Sequence, residues 1–456
     1  MHLTEKLAEF ITGTGYADVP PEARSRAKAC ILDCVGVTIG GTRQPIVVPV
    51  MAYLEQIGGR EECSIIGFDR RSSVTGAALM NGILGHVLDF DDSTPVFTGH
   101  PTVAILSAIF ALAEKFGASG KDIVTAYMVG TEVQWRLGDA MATCGDHYRK
   151  GWHSTGTIGA FGAAAAAARV LALDKRKTAH ALGIVASEAG GFQEQFGTHC
   201  KSFHAGRANE CGVRAALLAR GGFESSGTAL EGKVGYFRLV ADEYDVEKIG
   251  NFAQPWGLLE PTPKRSMNIK MAPICGGGIG TIENVQFLMK THGITAEDVD
   301  FVECFVQPKE LDLVQYHNPQ TSLQAKFSME YWVAMTLLEG RVGLRQITDD
   351  VVQQPRVRDL TKRVRLIPDP SIPWPPAQMR IKIHLNCGRA YGTEYQARKG
   401  TPANPMTESE LIAKFEECAE LVSFPQQKAR DAVRILLNME QIGSVTELMR
   451  SITLQR

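Results

Sequence analysis

The chain has 456 residues, enough for roughly two to three domains and a sizeable buried core. Its 48 basic and 50 acidic residues leave a formal net charge of -2, and no basic stripe marks it as a nucleic-acid binder. Ten cysteines are scattered without a C-x-x-C pair, which excludes a regular disulfide or zinc spacing and fits a reducing compartment.

The opening "MHLTEKLAEFITGTGYADVP" alternates charge and lacks the apolar run of a signal peptide. Apolar stretches such as "TVAILSAIFALAEKF" stop short of the roughly 20 residues that a membrane span needs. A cytoplasmic protein with no membrane partner is expected. Helical periods then dominate to about residue 240, in "ARSRAKACILDCVGVTIGG" and in "SGKDIVTAYMVGTEVQWRLGDAM", where Ser119 is a helix cap with Asp122 three positions on. Several of these helices, above all the alanine run after His153, are apolar most of the way round. Small residues there let packed axes approach closely.

Near residue 254, "QPWGLLEPTPKRSMNIKMAP" reads as a domain crossing. Beyond it "DVDFVECFVQ" and "RVRLIP" alternate as strands, and "MRIKIHLNCGRAYGTEYQ" reads as a hairpin turning at Asn386 to Gly388. "AKFSMEYWVAMTLLEG" is helical between them, and helix returns with "TESELIAKFEECAELVS". The fold expected is mainly α: a large all-helical domain (1–264 and 401–456) and a smaller α+β domain (265–400).

Familiar cofactor signatures are weak. "CGGGIGT" from Cys275 misses dinucleotide spacing, because the third glycine position falls on Thr281. His199, Cys200 and His204 invite a metal, as in a metal-dependent hydrolase, but histidines five apart do not share a helical face and no acid stands near them in sequence. No metal or cofactor is expected.

Ionisable residues concentrate instead in four segments bounded by glycine or proline. They are "LDFDDSTPVFTGHPT" (Asp89, Asp91, Asp92, His100), "HYRKGWHSTG" (Tyr148, Lys150, His153), "THCKSFHAGRAN" (His199, Lys201, His204, Arg207) and "NIKMAPICGGG" (Lys270, Cys275). Each has a plainer reading. The acids serve as caps, His153 flanks the alanine helix, Lys201 is a surface lysine and Cys275 a small buried hydrophobe. Chemistry enters through their combination.

These segments, with "ALEGKVGYF" and "QAKFSMEYWVAMTLLEG", resemble the MmgE/PrpD family over nearly the whole chain. The resemblance implies an all-helical domain, an α+β lid over a cleft, a homodimer, and an active site without metal or organic cofactor. It implies catalytic roles for Asp89, His100, His153 and Lys201, with Lys270 beside them. Tyr316 matches a tyrosine of the family's decarboxylases. Cys275 and Tyr148 depart from that pattern, standing where the decarboxylases carry histidine and methionine, which turns the expectation toward dehydration or epimerisation.

A small di- or tricarboxylate is the expected substrate. Lys201 and Lys270 supply cations for its carboxylates, His153 and His100 supply base and acid near neutral pH, and Asp89 orients a histidine or acts as base itself. Tyr148 gives a proton or hydrogen bond, while Cys275, Tyr316 and His204 contact substrate. The leading expectation is a 2-methylcitrate-dehydratase-like lyase. The alternatives are an epimerase of the iminodisuccinate type, a cis-aconitate-type decarboxylase, and a non-catalytic binding module on the same fold.

Overall fold

A computed structural model describes residues 2–143, 147–250, 252, 256–259, 266–372, 380–393 and 399–454. The expected boundary between 264 and 265 lies outside the described residues. Among the described residues, no helix is long and apolar enough to cross a membrane.

The larger unit is built on helices Pro21–Gly40, Val74–His86, Leu106–Phe116, Gly120–Thr143, Ser154–Val170 and His199–Arg220. Their starts follow local chemistry. Proline opens the first, Ser73 accepts a hydrogen bond from the Gly76 amide, and Thr198 accepts one from Cys200. Ser119 and Asp122 bond each other as expected at the start of Gly120–Thr143.

The alanine helix is buried from Ser154 to Ala168, and its small side chains have a geometric reason. A Cβ on Gly212 would lie 2.5 Å from the Cβ of Ala163, and one on Gly82 would lie 2.8 Å from the Cα of Gly206. The His199–Arg220 helix thus lies in near backbone contact with both Ser154–Val170 and Val74–His86. That closeness brings His86, His153 and Lys201 to one place.

The larger unit is not wholly helical. Cys63–Ser64 pairs antiparallel with Arg71–Ser72 around a tight turn at Gly67, where φ is +75°. Buried Ile65 and Ile66 anchor the turn, and Ser64 donates from both its amide and hydroxyl to Glu114.

The smaller unit carries a four-stranded sheet in the order Val364–Pro368, Val299–Val306, Arg380–Leu385, Ala390–Thr393. The first pair is parallel, with Val302 opposite Val364, and the others are antiparallel, with Val302 opposite Ile383 and Ile383 opposite Tyr391. The hairpin turns where expected, with Gly388 at φ +81°. Helices Ile279–His292 and Met329–Glu339 share a separate apolar core with this sheet. Helices Glu408–Leu421, Gln426–Leu437 and Thr446–Ile452 rejoin the core of the larger unit, where Phe415 packs against Gly36.

Candidate active site

The Val74–His86 helix runs out into the acidic loop, and the carbonyls of Val87, Asp89 and Phe90 just beyond its end have no helical partners. Three buried lysines from three distant elements take them up. Lys326 donates to Val87 O (2.7 Å), Lys270 to Asp89 O (2.9 Å) and Lys414 to Phe90 O (2.8 Å). Cations suit the negative end of a helix, and here each also fixes one loop carbonyl. Lys414 further pairs with Asp33 at 2.6 Å and lies 3.8 Å over the Phe90 ring. This grip holds Asp89 in the left-handed region, at φ +51°, which costs a non-glycine residue about 1 to 2 kcal/mol.

Two aspartates organise the histidines. His86 Nδ1 lies 3.0 Å from both oxygens of Asp91, so it donates there and leaves Nε2 to accept from Lys201 Nζ, also at 3.0 Å. His100 Nδ1 lies 3.1 Å from the same carboxylate. Burial pushes the His86 ring down to about 3, with Lys201 adding to the effect, so His86 is neutral at pH 7. Burial alone would raise Asp89, but Lys201, Lys270 and the histidines outweigh it and hold its carboxyl well below the usual range. Lys270 Nζ is 2.5 Å and Lys201 Nζ 3.2 Å from Asp89.

The Ser154–Val170 and His199–Arg220 helices supply the remaining groups. His153 is the N-cap residue of the first by its backbone, yet its side chain makes no cap hydrogen bond and lines the cleft. Burial, then Lys201 and His204, hold its ring well below the ordinary value, so it too is neutral. Lys201 lies in the first turn of the second helix, under the rings of Phe196 (5.6 Å) and Phe327 (5.4 Å).

The cleft spans about 740 Å³, part of it open to solvent. Asp89, His100, Tyr148, His153, Lys201 and Cys275 line it together. Burial, with Cys275 and Glu310 adding to it, pushes the Tyr148 hydroxyl well up, so it remains a donor.

Three expected substrate contacts lie elsewhere. Lys270 has all three N–H donors occupied, two by Asp89 and one by Ile274 O at 2.9 Å, and is no part of the cleft lining. Tyr316 donates to Phe196 O at 2.8 Å and buttresses the wall from behind. His204 stands behind His153, their Nδ1 atoms 2.9 Å apart.

Sequence reasoning named Asp91 only among the acids of its segment and assigned no role to His86, Glu310, Lys326 or Lys414. A histidine in the apolar "NGILGHVLDF", five residues before Asp91, was the legible signal for that pair. Lys326 and Lys414 lie inside helical patterns that give no hint of burial. Glu310 is a buried carboxyl in the cleft wall.

His86, Asp89, Asp91 and His100 each offer a ligand atom, all within 4.8 Å of one another, unlike the exposed His199 and Cys200. Lys201 and Lys270 already sit on that donor set, and a divalent ion there would have to displace two ammonium groups.

Comparison with known proteins matches the chain to two family models. The MmgE/PrpD N-terminal domain covers residues 5–249 and the MmgE/PrpD C-terminal domain residues 272–441. Cis-aconitate decarboxylase of Mus musculus is 28% identical, the match covering 99% of this chain and 94% of that one. Cis-aconitate decarboxylases of Homo sapiens (26% identical; 98% and 93% covered) and Aspergillus terreus (23%; 98% and 95%) are similar along their length too.

Proposed function

The chain belongs to the MmgE/PrpD family, and from that premise we propose that its cleft is the active site of a lyase acting on a small di- or tricarboxylate through its own side chains. The observation that carries this reading is the set of Lys201, His153, His100 and Tyr148 on one cleft whose Asp89 is already paired with Lys201 and Lys270. Lys201 gives two contacts, to His86 and Asp89, and among the described residues its third N–H is left for a substrate carboxylate. Charge developing beside that carboxylate is stabilised where it forms. His153, neutral and buried, takes the adjacent C–H proton, and Tyr148 or His100 hydrogen-bonds the departing group.

Within this class we favour loss of water from a hydroxylated acid of the 2-methylcitrate type. Glu310 supports that choice, since a carboxyl in the wall suits a substrate bearing a hydrogen-bond donor such as a hydroxyl. The relatives named as cis-aconitate decarboxylases support a second reading, loss of CO₂ from cis-aconitate. Epimerisation of an iminodisuccinate-type substrate uses the same proton abstraction.

The smaller unit, which brings Cys275, Glu310 and Phe327 to the cleft, acts as its lid in this reading. A homodimer in the cytoplasm completes it, and light scattering on the purified protein tests the pairing.

Proton NMR in D₂O with 2-methylcitrate, citrate, cis-aconitate and iminodisuccinate tests the function. Alkene signals from 2-methylcitrate are the expected result. Loss of CO₂ from cis-aconitate would replace dehydration with decarboxylation, and deuterium at a retained stereocentre would replace it with epimerisation. Silence from the folded protein across all four acids would overturn the reading.

A further inference from the structure

His153 and His204 form a contact with its own logic. Their Nδ1 atoms lie 2.9 Å apart, and such a bond holds a single proton, carried by one ring and accepted by the other. His153 lines the cleft and is 1% exposed; His204 does not line it and is 7% exposed. The pair therefore spans from the cleft toward the surface. Among the described residues, no hydrogen bond is made by Nε2 of His204.

The backbone holds both rings in place. The His153 amide donates to Gly191 O at 2.9 Å, and the same Gly191 lies against His204, at φ +132°. A Cβ there would come within 3.0 Å of His204 Cγ. Phe192, half-exposed, edges the ring at 6.3 Å on the way out.

We propose that His204 is a proton relay that connects His153 to solvent. This rests on the reading of His153 as the base that takes the substrate's C–H proton. In the resting pair His153 carries its proton on Nδ1 and donates it to His204 Nδ1, while His204 is protonated on Nε2. The substrate proton arrives at His153 Nε2, the shared proton crosses to His204 Nδ1, and the Nε2 proton of His204 leaves to water. One proton enters and one departs, and neither ring remains an imidazolium beside the Lys201 ammonium. When His153 Nε2 then gives its proton to the departing group, the shared proton returns to His153 Nδ1 and water re-protonates His204 Nε2, restoring the resting tautomers. Burial first, with Lys201 adding to it, lowers both rings, His204 to about 4, so a lingering cation in either would be disfavoured. His204 is thus a positioning and relay residue, acting on substrate only through His153.

A substrate-free experiment tests the arrangement. In protein labelled with ¹⁵N-histidine, with His153→Gln used to assign its signals, His153 is expected as the Nδ1-protonated tautomer and His204 as the Nε2-protonated one. His153 protonated on Nε2 would overturn the proposal, because its cleft-facing nitrogen would then be no base.

The second arm uses the acid that the wild-type protein turns over. His204→Ala should lose on the order of 10²-fold in kcat, with KM little changed, and regain rate as imidazole buffer is added, while wild type ignores the buffer. His204→Asn, which keeps a polar partner for His153 but cannot pass a proton, should be equally slow. Full activity in His204→Asn, or failure of imidazole to restore folded His204→Ala, would overturn the relay. Silence across the four acids with the expected tautomers would strike the proposed function and leave the arrangement of the pair standing.

Discussion

The acidic loop and His153 face one cleft, yet the loop and the His153–His204 pair are held in opposite ways. Around Val87 to Phe90, lysines from remote segments occupy three carbonyls and the Asp89 carboxylate, and little donor capacity is left over. At His153 and His204 the polar atoms lean on each other and on one glycine carbonyl, and a cleft-facing nitrogen is left for chemistry. Residue type does not separate structure from catalysis here. Lys201 and Lys270 both touch Asp89, yet Lys270 has its donors filled and Lys201 keeps one.

The largest effect expected from this contrast is on folding. Lys270→Met removes the cation from Asp89 and two carbonyls inside the protein and should destabilise it by about 3 to 5 kcal/mol. Urea denaturation measures this, and a midpoint equal to wild type would remove Lys270 from the structural side of the comparison.

Lys201→Met should instead fold and fail in turnover. Losing one donor to a developing negative charge costs on the order of 10² to 10³ in kcat. Steady-state kinetics with the acid found by NMR, beside the same denaturation curve, separates the two lysines. Equal loss of stability in both variants would collapse the distinction.

The smallest effect is the dependence of stability on pH. His86 is lowered to about 3, and His147 and His204 to about 4, all chiefly by burial. Between those values and the unfolded value near 6.5, the unfolded chain binds more protons than the folded one. Stability contributed by these rings is therefore full above about pH 6.5 and falls as the solution is acidified toward pH 4. Asp92, raised to about 7 by burial, works the other way, its folded state holding a proton that the unfolded chain releases above about pH 4. Thermal melts from pH 7.5 to 5 should show a modest net decline, and replacing Asp92 by Asn should steepen it. A rise in melting temperature on acidification would show Asp92 outweighing the three histidines.

Much of this was legible in the sequence. The alanine run and its interleaved glycines announced close-packed helices, the alternating strands and the Asn386–Gly388 turn announced the hairpin, and polar residues in apolar surroundings marked the four segments within which the family resemblance singled out Asp89, His100, His153 and Lys201. A short pairing such as Cys63–Ser64 with Arg71–Ser72 carries no periodicity over two residues, so it left no mark.

Pattern and composition thus determined a mainly helical chain with a small sheet and a cluster of cations, acids and imidazoles. Tertiary structure alone decided what each of those groups is free to do. Lys270 reaches Asp89 across 181 positions, Lys414 reaches Phe90 across 324, and Lys201 reaches His86 across 115. Whether a lysine meets a filled or an open acceptor set, and which imidazole nitrogen faces the cleft, depends on contacts between segments far apart in the chain. Local sequence encodes the residue and its element; the hydrogen-bond partner exists only after the chain has closed.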